Sequence, residues 1–153
     1  MRPRSRARGW ALQALYAWEA RRNDVTLDET LRQFMIDRNI AAESREYLRR
    51  VLRLIERNQA EIDEHLESAL RNWRMDRLSV IDRNILRIGA AELLYIEEVP
   101  ERVAIQEAII LAEKYSTAES PRFVNGVLDA LMRKVRPSTG SAGNAGSGGE
   151  SRP

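Results

Sequence analysis

Apolar residues recur along this chain with a helical period almost from end to end. Ala11, Ala14, Leu15 and Trp18 fall at i, i+3, i+4, i+7 and predict a first helix over about residues 5–22. Thr26-Leu27-Asp28-Glu29 has the pattern of a capping box, and Leu27, Leu31 and Phe34 carry a short second helix behind it. Leu48, Val51, Leu52 and Ile55 repeat the spacing on a third. Ile62, Leu66, Ala69 and Leu70 continue it beyond Asn58, as a fourth helix or as a bent extension of the third. A long fifth runs through Ile81, Ile85, Ile88, Glu92 and Ile96 to Val99-Pro100, where the residue before proline is pushed out of the helical region. Ile105, Ala108, Ile109 and Ala112 mark a sixth, ending near Tyr115. Ser120-Pro121 reads as an N-cap with proline at the first helical position, and Val124, Val127, Leu128 and Leu131 form the apolar face of a seventh. No segment alternates with period two. The expectation is an all-α fold, a single compact bundle of about seven helices with short connections.

Composition separates the two ends from this bundle. Pro137–Pro153 holds five glycines and four serines among 17 residues and no large apolar side chain. Such a stretch buries too little surface to offset the entropy of ordering it, so it is expected to be a disordered tail beyond a domain of residues 1–136. At the other end, residues 1–22 carry six arginines against Glu19, a local excess of five positive charges in a chain whose net charge is +2. A basic arm on a slightly acidic body is the asymmetry of nucleic-acid-binding arms, and residues 1–8 are expected to be flexible. Arginine outnumbers lysine 23 to 2 throughout, so the preference itself carries no functional weight.

Several chemistries are excluded. Without cysteine there are no disulfides, thiol nucleophiles or cysteine-ligated metals, and the lone His65 rules out a two-histidine site. His65 lies among Glu61, Asp63, Glu64 and Glu67, a run best read as a solvated acidic helix face. Gly9, Gly89 and Gly126 stand in no phosphate-cradling frame. No apolar run approaches the roughly 18 residues of a membrane span. Arg2–Arg8 followed by Gly9-Trp10-Ala11-Leu12 imitates a secretory leader, but Gln13 interrupts the apolar run and the context for cleavage is poor. A cytoplasmic non-enzyme without metal or cofactor is expected.

Ligand contacts can be placed on the residues themselves. Arg4, Arg6 and Arg8 can neutralise phosphates. Gln13 and Tyr16 face away from the Ala11-Leu15-Trp18 stripe and are positioned to reach a ligand. Arg122 and Phe123 open the last helix, where backbone N–H groups favour phosphate and an exposed ring stacks on an unpaired base. Core packing is the competing role for Phe123. Asn125 caps or binds, while Gly126 is expected at a close helix–helix approach. Trp10, Trp18 and Trp73 are expected as core or half-buried anchors. Glu92, on an apolar face, is expected to pair with an arginine or a backbone N–H.

The ordered set Leu78–Gly89, Ala91-Glu92-Leu93-Leu94, Val99-Pro100, Val103–Ala108, Leu111–Tyr115 and Ser120–Asp129, together with the basic start, Ala11–Tyr16 and Asn72-Trp73, closely resembles the NusB transcription antitermination family over about residues 4–134. Residues 20–60 match in pattern only. Pro121 replaces a basic or polar residue found in some members, which removes one RNA contact. The resemblance implies an all-helical factor that binds the boxA element of ribosomal RNA transcripts with NusE, a protein of the small ribosomal subunit. It also implies that the complex joins RNA polymerase to suppress termination. For the free protein, monomer and homodimer both stay open. Two other readings are a helical protein-binding adaptor without specific RNA recognition and a NusB-like module associated with ribosomal RNA modification. For the second, the same fold precedes a catalytic domain in some cytosine methyltransferases, and 136 helical residues leave no room for a cofactor-binding sheet.

Overall fold

A computed structural model of the protein describes residues 2–21 and 24–136. These contain six α-helices and one 3-10 turn, with no strand among the described residues. The helices are α1 (Pro3–Ala20), α2 (Leu27–Asp37), α3 (Ala42–Ala69), α4 (Val80–Tyr95), α5 (Glu101–Tyr115) and α6 (Ser120–Val135), with the 3-10 turn at Met75–Arg77 between α3 and α4. The expected tail lies outside the described residues.

The expected count of seven becomes six because the third and fourth predicted helices are one. Asn58 alone leaves helical geometry, at φ −119° and ψ 24°, and its side-chain amide donates to the Leu54 carbonyl at 2.9 Å. The side chain thus occupies a backbone acceptor at the bend, which kinks the helix without ending it.

A second correction concerns the N-terminus. Residues 3–8 are the first turns of α1, not a flexible arm. Pro3 occupies the first helical position, where its fixed φ suits the helix and its missing N–H costs nothing. Ala7, Ala11, Ala14 and Leu15 then bury one face, with Leu12 beside them. The Ser44 hydroxyl donates to the Pro3 carbonyl at 3.0 Å and ties this start to α3.

Local signals set the other helix starts. Thr26 Oγ1 accepts from the Glu29 N–H at 3.0 Å and Ser79 Oγ from the Asp82 N–H at 3.1 Å, each a side-chain N-cap. Ser120 does not cap α6 as expected. Glu119 holds that position, and Ser120 is the first helical residue, its hydroxyl turned inward to Ser116, Thr117 and Asp82.

α4 is the centre of the bundle, packed on α1, α3, α5 and α6. Every residue from Asn84 to Leu93 is buried, so its polar members must be partnered. Glu19 of α1 accepts from Arg83, Asn84 and Arg87 of α4, and Arg87 makes a two-pronged pair with Asp63 of α3, both contacts 2.9 Å. Burial acts to raise the Glu19 pKa, but these donors and the charges of Arg83 and Arg87 overcome it and hold the carboxyl below its ordinary range. The acidic run on α3 is therefore not simply solvated. Asp63 pairs with Arg87, Glu67 accepts from the Met75 N–H at 2.8 Å, and Glu61 accepts from the Tyr95 hydroxyl.

Close packing falls on Gly89, not Gly126. A Cβ on Gly89 would stand 2.6 Å from a Leu128 methyl, whereas a Cβ on Gly126 would meet nothing within 4 Å. α4 and α6 cross where α4 has no side chain.

Candidate nucleic-acid interface

The structure does not gather the predicted site residues in one place. Arg6 and Gln13 line one groove, and Arg122, Phe123 and Asn125 lie at the start of α6. Tyr16 and Arg4 are exposed outside both, with Arg4 in a separate cleft beside Glu98, and Arg8 is interior. Arg8 is 3% exposed, with its Nε 2.7 Å from Glu92 Oε2 and its Nη1 3.3 Å from Glu107. The Tyr47 hydroxyl donates to the same Glu92 oxygen. Its expected contact with phosphate is thereby corrected: α1 carries Arg8 toward α4 and α5, where two carboxylates need a cation. Burial raises the Glu92 pKa more than the Arg8 charge and the hydrogen bonds from Tyr47 and Arg8 lower it. Tyr47 is likewise pushed up, by burial and then by the Glu92 charge. The expected arginine partner of Glu92 is thus a residue assigned to phosphate by its place in a basic run.

The first region is a groove between α1 and α5, lined by Arg6, Trp10, Gln13, Ile110, Lys114 and Tyr115 among others, with a volume near 360 Å³. Gln13 is partly buried and its amide donates to the Tyr115 hydroxyl at 3.4 Å. Arg6 is exposed, and neither it nor Lys114 makes an ion pair among the described residues. Tyr16 follows Gln13 by three residues and is 50% exposed. Arg4 lies one helical turn before Arg8, half-exposed. Its guanidinium is 3.6 Å from Glu98 and stacks over the Tyr47 ring at 4.6 Å from the centroid. Arg50 also binds Glu98, through two nitrogens, and this hydrogen-bonded pairing holds the Glu98 carboxyl down to about 2.

The second region is the start of α6. Arg122 and Asn125 are exposed, while Phe123 is half-buried and packs against the core edge. The Phe123 ring stands edge-on to Trp73, with centroids 6.3 Å apart and planes at 72°. Phe123 therefore does part of the packing weighed for it and keeps part of its ring at the surface. Trp73 is 54% exposed, not the anchor expected. Trp10 and Trp18 are half-buried against the core.

Three residues of these regions, Lys114, Tyr115 and Trp73, are not among the contacts expected from sequence. Tyr115 continues the apolar stripe of α5, three residues after Ala112, and so reads as core from sequence, and Lys114 beside it reads as an ordinary surface charge at a helix end. Trp73 lies in Arg71-Asn72-Trp73-Arg74, where basic residues interleaved with an aromatic are a signal for nucleic acid.

Comparisons with known proteins agree with this architecture. The NusB family model matches residues 5–133. The transcription antitermination protein NusB of Chloroherpeton thalassium is 36% identical over 135 residues, 87% of this chain and 63% of that protein. Its counterpart in a Nocardioides species is 40% identical over 136 residues, 87% of this chain and 96% of that one. Among solved structures, NusB of T. maritima superposes with a TM-score of 0.82 at 38% identity, covering 89% of this chain and 94% of that chain. A chain from the crystal structure of the antitermination factors NusB and NusE in complex with dsRNA gives 0.79 at 30% identity, covering 88% and 98%. With a family model spanning most of its length and curated relatives well above 30% identity, this chain belongs to the NusB family.

Proposed function

We propose that this protein is an RNA-binding transcription antitermination factor. It binds boxA RNA together with NusE and helps RNA polymerase read through terminators in the cytoplasm. The observation that carries the reading is the groove between α1 and α5, on a member of this family. Arg6 and Lys114, without ion-pair partners among the described residues, line it beside the amide of Gln13 and the ring of Tyr115, while its one acid, Glu107, is engaged by Arg8. Cations of this kind bind phosphates and release counterions, while amide and aromatic groups meet base edges and faces. Arg4, Arg6, Gln13, Tyr16, Arg122, Phe123 and Asn125 are the proposed contacts, and Arg8 is not among them. No helix of the described residues is long and apolar enough to cross a membrane, which fits a factor that works on transcripts.

The test is a titration of boxA-containing and scrambled RNA at several salt concentrations, with and without NusE. Tighter binding of boxA RNA, strengthened by NusE, is expected. Arg4→Ala with Arg6→Ala should reduce the log–log salt slope by roughly 0.7 for each phosphate that is no longer neutralised. Equal affinity for both RNAs with NusE binding retained would instead make the protein a helical adaptor.

A further inference from the structure

Trp73 is the largest aromatic side chain left mostly in water, and it is not isolated. The Trp73–Phe123 pair separates two clefts. One, near 430 Å³, is lined by Trp73, Arg77, Asp82, Thr117, Arg122 and Phe123 among others. The other, near 450 Å³, lies on the far side, against Arg71, Gly126 and Arg133. Both have the size of small-ligand sites, and Gly126 keeps the second open because no side chain fills it.

The charges around the pair are not internally balanced. Arg74 and Arg133 are paired, with Asp76 and Asp129. Arg71, Arg77 and Arg122 have no ion-pair partner among the described residues. The acids facing the first cleft are Asp82 and Glu119. Asp82 is already engaged by the Ser116 and Ser120 hydroxyls, at 2.6 and 3.1 Å. Aromatic faces flanked by arginines match the stacking and phosphate contacts of a single strand better than an acidic or purely apolar peptide.

The first cleft adjoins the groove between α1 and α5 along the chain. That groove ends at Lys114 and Tyr115, and the cleft begins at Thr117, with only Ser116 between them.

We infer that Trp73 and Phe123 form a two-ring platform for unpaired bases of the RNA strand held on α1 and α5, with Arg71, Arg77 and Arg122 neutralising the phosphates beside them. This rests on the RNA-binding function proposed above. Trp73 is the residue it adds as a direct contact, since its exposure leaves it little structural work.

The experiment compares Trp73→Ala, Trp73→Phe, Arg77→Ala and Arg6→Ala in the full chain with NusE, using a single-stranded boxA-containing RNA. Trp73→Ala should weaken RNA binding about 5- to 100-fold, with the salt slope unchanged, because the substitution removes a stacking surface and no charge. Trp73→Phe should recover most of that affinity. Arg77→Ala should lower both affinity and slope. Irradiating the unaltered protein with the same RNA carrying 5-iodouracil should cross-link the Trp73 peptide, a readout independent of any variant's folding. Unaltered affinity in Trp73→Ala, beside weakened binding in Arg6→Ala, would overturn the platform and leave the RNA-binding function standing. Failure of Trp73→Ala to associate with NusE, with RNA affinity retained, would overturn it in favour of a protein-docking cleft. Absence of salt-dependent RNA binding in the unaltered protein would remove both.

Discussion

Replacing Arg8 by Ala leaves Glu92, 1% exposed, with the Tyr47 hydroxyl as its remaining donor. Breaking a buried pair by removing one partner costs about 3–5 kcal/mol. The destabilisation should depend on pH in a definite sense. A carboxyl whose folded pKa lies above its unfolded value, as burial makes that of Glu92, binds more protons folded than unfolded. Its contribution to stability is therefore complete below the ordinary value of 4.5 and is lost as pH rises through the raised folded value. Without Arg8 the folded value moves further up, so Arg8→Ala should lose stability over a wider span above pH 4.5. Arg8→Ala combined with Glu92→Gln should recover part of the stability and flatten the dependence. Thermal melts from about pH 4 to 8 check both, and a pH-independent deficit in Arg8→Ala would refute the account. The need of Glu92 for a partner, an arginine or a backbone N–H, was legible, since a carboxylate on an apolar face cannot stay alone. Its partner was not, because 84 residues separate the two and nothing in a basic run marks which arginine turns inward.

Periodicity located all six helices, since each buries a stripe that repeats at helical spacing, but it could not see how the helices meet. Asn58 falls on the apolar stripe of α3 itself, three residues after Ile55 and four before Ile62, so the stripe is broken there and reads equally well as one helix or two. Glycine shows the same limit. Gly89 and Gly126 both sit inside helical patterns, and only the packing of α4 on α6 tells them apart. Gly126→Ala should stabilise the protein by about 0.5–1 kcal/mol, because alanine restricts the unfolded chain and meets no neighbour. Gly89→Ala should destabilise it by about 1–3 kcal/mol, because Leu128 must be displaced in a close-packed interior. Opposite shifts in denaturant midpoint are the expected result, and equal ones would contradict the packing at the α4–α6 crossing. The interface was legible to the same extent. Gln13 and Tyr16 point off the α1 stripe in the sequence and reach the surface in the fold, whereas the groove that Gln13 shares with Lys114 and Tyr115 exists only once α5 lies beside α1.

Across the whole molecule, the last described residue does more than its place at the end of the fold suggests. Arg136 donates to the carbonyls of Glu92, Leu93, Ile96 and Val99, at 2.9–3.1 Å, and so satisfies the C-terminal end of α4. Its role follows from contacts across 37–44 residues, which no local pattern carries. Ending the chain after Arg136 should leave the melting temperature unchanged, since what is removed is mostly glycine, serine and alanine. Ending it after Val135, or making Arg136→Ala, should cost about 1–3 kcal/mol, because the Leu93 and Val99 carbonyls lose the Arg136 donor while those of Glu92 and Ile96 keep backbone N–H donors. Equal melting temperatures for the two truncations would show the clamp to be dispensable. The same loop receives the other end of the fold, for Arg2, Pro3 and Arg4 line a cleft with Glu98, Val99 and Pro100. The first and last described residues thus converge on the short connection between α4 and α5. A circularly permuted version, its two ends joined past this loop by a glycine-serine bridge and reopened at exposed Asn39 between α2 and α3, should therefore reach the same native structure.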